Sequence, residues 1–199
     1  MAIQSLTNVC VFSGSSVGNR ADYRSAAEAF GRTLASTGRR LIYGGGAIGL
    51  MGAMADAALT AGGEVIGVIP TFLSLREIRH DGLTRLHVVS SMHARKALMA
   101  ELSDAFVALP GGLGTFDELC EILTWSQLGL HAKPVGLLNV LGYFDPLVMQ
   151  IERAVADGFC RPEPRELCVG ETDADRLLER LTTHILPTVR KWIPSEEQV

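Results

Sequence analysis

The chain has 199 residues, of which 47% are hydrophobic and 20% charged, and its formal net charge is -4. That length supports one sizeable core, and the acidic balance argues against a non-specific nucleic-acid binder, which needs a basic surface. No apolar run approaches the ~20 residues of a membrane span, and no basic, apolar leader opens the sequence, so a soluble, cytoplasmic protein without a membrane partner is expected.

In chain order, short apolar runs alternate with longer amphipathic stretches. Asn8–Ser13 reads as a first strand, followed by a helix over about Asp22–Thr37 that stops at Gly38. Strand Arg40–Tyr43 leads through a glycine run to a helix over about Leu50–Ala61, ended by Gly62. Strands Glu64–Pro70 and Arg85–Ser90 flank a charged segment, and a helix over Met92–Leu102 follows. Strand Asp104–Pro110 precedes a helix over about Phe116–Leu128, closed by Gly129. Strand Pro134–Asn139 and a helix over Pro146–Asp157 come next, with Asp145 as N-cap before a proline. Strand Glu166–Val169 and a helix over Asp173–His184 complete the pattern, the last opened by a capping box of Thr172 and Asp175. Residues beyond about 187 form a polar tail. Continuous apolar cores such as Val9-Cys10-Val11-Phe12 and Phe106-Val107-Ala108-Leu109 are those of parallel strands buried on both faces. The alternation predicts a single α/β domain over 1–199, Rossmann-like, with an open, mostly parallel sheet flanked by helices on both faces.

Ligands of such sheets bind outside the carboxyl ends of the strands. Three loops rich in Gly or Ser fall there: Ser13-Gly14-Ser15-Ser16, Gly44 to Gly49, and Pro110 to Thr115. Glycines let the backbone come close to a ligand, and the following helix N-terminus favours an anion, so these loops suit a phosphate. Gly44-x-Gly46-x-x-Gly49 also fits the dinucleotide fingerprint, but the strand that should end in an acid ends Ile69-Pro70-Thr71. Gly49 and Gly52 are better read as packing residues. The Pro110–Thr115 turn lacks the lysine of a P-loop, which favours a monophosphate over a triphosphate.

Two residues stand out for chemistry. Arg95 lies on the same helical stripe as Met99 and Leu102, and a cation there needs an anionic partner or a cleft. Glu118 lies one turn into the helix after the Pro110–Thr115 turn. Thr115-x-x-Glu118 is also a capping box, so the pattern leaves Glu118 open between a structural cap and a carboxylate beside the phosphate. The cysteines, Cys10, Cys120, Cys160 and Cys168, read as reduced packing residues. No metal-ligand spacing is present, and no redox cofactor is expected.

Tyr43-Gly44-Gly45-Gly46-Ala47-Ile48-Gly49, Met92-His93-Ala94-Arg95-Lys96 and Pro110-Gly111-Gly112-Leu113-Gly114-Thr115-Phe116-Asp117-Glu118 resemble motifs of the LONELY GUY (LOG) family. Its members are cytokinin riboside 5′-monophosphate phosphoribohydrolases, often labelled lysine decarboxylases. The resemblance implies a cytoplasmic homodimer in cytokinin biosynthesis that hydrolyses a nucleoside monophosphate, N6-modified AMP or AMP itself, to free base and ribose 5-phosphate. It implies Arg95 and Glu118 as the catalytic pair, with Glu77, Lys96, Gly112, Leu113, Gly114, Thr115, Thr124, Ser13 and Gly45 binding the nucleotide. The alternative is a module that binds or carries a nucleotide without cleaving it. Leu113 and Asp117 depart from frequent Tyr and Glu, and Ser13 from a frequent Cys.

Overall fold

The computed structural model describes residues 6–74, 78–160 and 167–184. Its centre is a 7-stranded sheet in the order β4-β3-β2-β1-β5-β6-β7, and every neighbouring pair is parallel. The strands are β1 Asn8–Phe12, β2 Arg40–Tyr43, β3 Val65–Pro70, β4 Arg85–Val89, β5 Ala105–Ala108, β6 Val135–Leu138 and β7 Cys168–Glu171. The helices are α1 Ala21–Ser36, α2 Gly49–Thr60, α3 Thr71–Ser74, α4 Met92–Leu102, α5 Leu113–Gln127, α6 Asp145–Ala156 and α7 Ala174–Thr183. This is the Rossmann-like α/β architecture that the alternation predicts.

Period-two alternation sends each strand's side chains to two different cores. From β1, Val9 and Val11 join Phe30, Leu34, Met54 and Leu177 beneath α1, α2 and α7. Cys10 and Phe12 join Met99, Phe106, Leu119 and Ile122 beneath α4 and α5. Both layers cover the inner strands, which is why those read as unbroken apolar runs, while the edge strand β4 has no buried residue.

The strand order reverses at β1, between β2 and β5. The loops after β1 and β5 therefore diverge to opposite sides and leave a crevice between them. The Gly14 N–H donates to the Pro110 carbonyl at 3.0 Å and ties the two loops together at its floor.

The local punctuation holds at some ends and fails at others. Gly38, Gly62 and Gly129 follow their helices with φ of +69°, +80° and +73°, the left-handed conformation that ends a helix with least strain in glycine. Asp145 is not an N-cap: Phe144 is, and Asp145 instead accepts from the Asn139 side-chain amide at 2.7 Å. The α7 cap is Asp173, whose carboxylate accepts from the Arg176 N–H at 2.9 Å, in place of the Thr172–Asp175 box. The cap falls one residue nearer the helix than expected, so the N–H it satisfies is that of Arg176 and not of Asp175. The last strand runs two residues later than expected, and Glu166 and the polar tail lie outside the described residues. The four cysteines are free thiols. Cys10 is buried, Cys160 and Cys168 are half-buried, and Cys120 is exposed on α5, so packing does not account for Cys120. Among the described residues, no helix is long and apolar enough to cross a membrane.

Candidate active site

A cleft of about 400 Å³ opens at the switch point, bounded by the loops after β1, β2 and β5 and by the first turns of α4 and α5. It falls in the range of ligand pockets, roughly 300–1,000 Å³. One wall is apolar, formed by Ile48, Met51, Ile69, Leu73, Ile78 and Met92. The turn Gly112-Leu113-Gly114-Thr115 lines the cleft as well, together with Ser13, Gly14 and Ser15. Arg95, Asp117 and Glu118 supply its charges.

Helix α5 begins at Leu113, three residues earlier than the sequence suggests, because Gly112 takes the extended N-cap conformation. Among the described residues, no side chain caps this end. Thr115 is inside the first turn, and the capping-box alternative for Glu118 falls with it. The first N–H groups of a helix have no intrahelical partner, and here they face the cleft with the positive end of the helix dipole behind them. The glycines of the turn differ in purpose. A Cβ on Gly111 would stand 2.0 Å from Thr115 Oγ1 and 2.8 Å from the Gly14 nitrogen, so the chain itself excludes a side chain there. A Cβ on Gly112 or Gly114 would meet nothing within 4 Å. That open space is where an anion can reach the helix N-terminus. The Ser13 hydroxyl, in a residue only 7% exposed, has no hydrogen-bond partner among the described residues and lies at the edge of the same space.

The Gly44–Gly49 turn is built differently. The N–H groups of Leu50 and Met51, at the start of α2, donate to the Gly14 carbonyl at 3.0 and 3.3 Å. A Cβ on Gly49, at φ +66°, would lie 2.2 Å from the Ser15 carbonyl carbon, and one on Gly52 would lie 2.1 Å from the Ala47 oxygen. This helix end is spent on packing the β1 loop, and the dinucleotide fingerprint is a packing motif here. Gly44 has a separate duty: a Cβ on it would stand 1.6 Å from Arg95 Nη2.

Arg95 reaches the cleft floor from α4, whose N-cap Ser91 accepts from the Ala94 N–H at 3.1 Å. The guanidinium lies over Gly44, and its Nε donates to the Val68 carbonyl at 3.1 Å. Its Nη1 lies 3.7 Å from Glu118 Oε1, and the two residues are 8% and 9% exposed. At that separation the charges attract without a hydrogen bond, so donor and acceptor both keep capacity for a third group. Burial pushes the Glu118 carboxyl above the ordinary carboxylate range. Arg95 and Lys96 oppose the shift, and Asp117 and Glu121 add to it.

The other expected site residues divide. Ser13, Gly112, Leu113, Gly114 and Thr115 line the cleft. Lys96 turns away from it onto Asp117 and Glu121. Thr124 is exposed further along α5, its hydroxyl donating to the Cys120 carbonyl at 2.7 Å. Gly45 is buried behind the wall at φ +72°, and its carbonyl accepts from the His80 N–H at 2.9 Å. Glu77 lies outside the described residues.

The family profile described as possible lysine decarboxylase matches residues 51–181. A rice protein named probable cytokinin riboside 5′-monophosphate phosphoribohydrolase LOGL9 is 52% identical over 177 residues, 89% of this chain and 78% of its own length. The chain belongs to the LOG family. An Arabidopsis thaliana relative, cytokinin riboside 5′-monophosphate phosphoribohydrolase LOG1, is 49% identical over 89% of this chain and 83% of its own. The phosphoribohydrolase of that name from Rhodococcoides fascians is 54% identical over 79% of this chain and 80% of its own. Among solved structures, the Moco carrier protein from Chlamydomonas reinhardtii superposes with a TM-score of 0.67 at 23% identity, over 91% of this chain and 100% of that one, a likeness of fold.

Among the described residues, no lysine lines this LOG-family cleft, as the decarboxylase label would need. Lys133 Nζ donates to the Ala100 carbonyl at 2.7 Å, and neither it nor Lys96 is among the lining residues. Sequence reasoning missed Tyr143, whose hydroxyl donates to the Gly111 carbonyl and whose ring stacks on Phe116. It comes from the turn after β6, where no local pattern links it to the glycine loop. A substitution separates the two kinds of glycine. Gly114→Ala should leave Tm unchanged or slightly raised, since alanine favours a helix by about 1 kcal/mol. It should weaken inorganic phosphate binding about tenfold, read by calorimetry.

Proposed function

We propose that this protein hydrolyses the N-glycosidic bond of a nucleoside 5′-monophosphate, N6-modified AMP or AMP, releasing the base and ribose 5-phosphate. The observation that carries this reading is a buried carboxylate–guanidinium pair at the floor of a cleft whose rim is an uncapped helix N-terminus. The relatives' names agree with it.

The phosphate sits at Gly112–Thr115 and Ser13, and the base lies against the apolar wall that includes Ile69 and Met92. That puts the ribose over Glu118. As the C1′–N bond breaks, its electron pair leaves with the base, which takes up a proton from solvent as Glu118 later returns its own, and positive charge builds on the sugar, as in glycoside hydrolysis. The Glu118 carboxylate stabilises that charge and accepts a proton from the water that bonds to C1′. Arg95 orients Glu118 and the nucleotide, and phosphate binding holds the reacting carbon in place. The residues above, not Lys96, Thr124 or Gly45, are assigned to substrate contact.

The chain acts as one domain and as a homodimer in the cytoplasm. Helix α6 has no fully buried residue, and Met149 on it and Leu130 after α5 are 66% and 69% exposed, apolar surface that a second copy covers. The free thiols suit a reducing compartment.

Incubation with AMP and with an isopentenyl-type AMP, followed by assay of free base, tests the activity. Release from either is expected. Binding without release from any monophosphate would leave a nucleotide carrier instead.

A further inference from the structure

Lys96 follows Arg95 in sequence, but one residue of helix turns its side chain about 100° away. Its Nζ lies 3.1 Å from Asp117 Oδ2 and 3.0 Å from Glu121 Oε2, and its side chain is 14% exposed. Asp117 and Glu121 are four residues apart on α5 and share a face. Glu118 stands between them in sequence, at the cleft floor. The ammonium therefore joins the two helices that carry Arg95 and Glu118.

We propose that Lys96 is a positioning residue that clamps Asp117 and Glu121 to α4 and so sets the orientation and charge of Glu118, without touching the substrate. The inference rests on reading Glu118 as the catalytic carboxylate.

Glu118 is faced by Arg95 and Lys96 from α4, by Asp117 and Glu121 on its own helix, and by Cys10 from β1. Three carboxylates in five residues repel one another's charge. Lys96 offsets the two outer ones and keeps the Glu118 proton from being held more tightly. Burial works to lower the Lys96 ammonium, but its hydrogen bonds to Glu121 and Asp117 outweigh this and hold it above its ordinary value. The clamp is thus charged throughout the neutral range. Without it, two uncompensated acids would flank Glu118, and activity would begin only at higher pH.

The test compares Lys96→Met with the triple variant Lys96→Met/Asp117→Asn/Glu121→Gln. The readouts are kcat and KM against pH, and the 13C titration of the Glu118 carboxyl, assigned by its loss in Glu118→Gln. Lys96→Met should lower kcat at neutral pH about tenfold, with the acid limb and the carboxyl titration both moved to higher pH. The triple variant should bring both back and recover most of the lost rate, the non-additivity expected of coupled groups. If Lys96 held the phosphate, Lys96→Met would raise KM, leave the limb in place and gain nothing from removing the acids; that pattern overturns the proposal. Should Lys96→Met fail to fold, Lys96→Gln carries the same expectations. If the wild-type chain releases no base, the proposed activity fails, while the carboxyl titrations still decide the role of Lys96.

Discussion

Glu118→Gln should reduce turnover at least a thousandfold, bind AMP nearly as well as the wild type, and unfold at a higher temperature at neutral pH. The first part follows from losing both charge stabilisation and the water's proton acceptor, losses of the size seen for general bases and electrostatic stabilisers. The last part follows from linkage. Burial raises the Glu118 carboxyl despite Arg95, so the folded protein holds this proton more tightly than the unfolded chain does. Stability therefore falls as pH rises from the ordinary carboxylate range through the raised one. The neutral amide escapes that cost. Its advantage, a few degrees in Tm, is complete above the raised range and absent below the ordinary one. The same ionisation places the acid limb of wild-type activity above the usual carboxylate range. Thermal melts of both proteins between pH 3 and pH 8, with base-release assays, check each part. Equal turnover would remove Glu118 from the chemistry. A less stable amide at neutral pH would mean that Arg95 needs the carboxylate charge more than burial penalises it.

The fold was legible because the inner strands β1, β2, β3, β5 and β6 are buried on both faces and the helices over them each have an apolar stripe; the edge strand β4, with no buried residue, was legible only from the alternation of elements. Runs such as Val9–Phe12 and stripes such as Phe30 and Leu34 on α1 then have one arrangement that covers them all. Arg95 was legible by contradiction: a cation on an apolar stripe at a helix start implies a cleft, and the cleft is there. What local pattern misjudged were helix ends. Gly112 and Gly114 disfavour helix, so α5 was expected to start at Phe116, and Thr115 and Glu118 then matched a cap. Backbone geometry, which glycine leaves open, decided that question. Tyr143 and the Lys96 clamp were illegible because each joins residues more than 20 positions apart, with no periodicity between them.

Gly44→Ala should cost about a hundredfold in kcat/KM while changing Tm little. Gly44 is not among the positive-φ glycines, so alanine suits its backbone. What a Cβ meets there is the guanidinium of Arg95: Nη2 at 1.6 Å, the central carbon at 2.8 Å and Nε at 3.4 Å. No packed backbone stands in the way, and the end of a long side chain must give. Arg95 would swing off Gly44 and lose its bond to the Val68 carbonyl, and its 3.7 Å approach to Glu118 would open. A displacement of about 1 Å at a reacting centre is worth about a hundredfold in rate. Gly111→Ala is the contrasting case. There the Cβ meets the Gly14 nitrogen and the Cβ of the buried Thr115, at 2.8 and 2.7 Å, so the turn itself must deform and Tm should fall. Arg95→Ala should lose at least as much activity as Gly44→Ala, and adding Gly44→Ala to it should cost almost nothing more, because the methyl group then has nothing to displace. Additive losses in the double variant would mean that Gly44 acts on the cleft by a route that does not pass through Arg95.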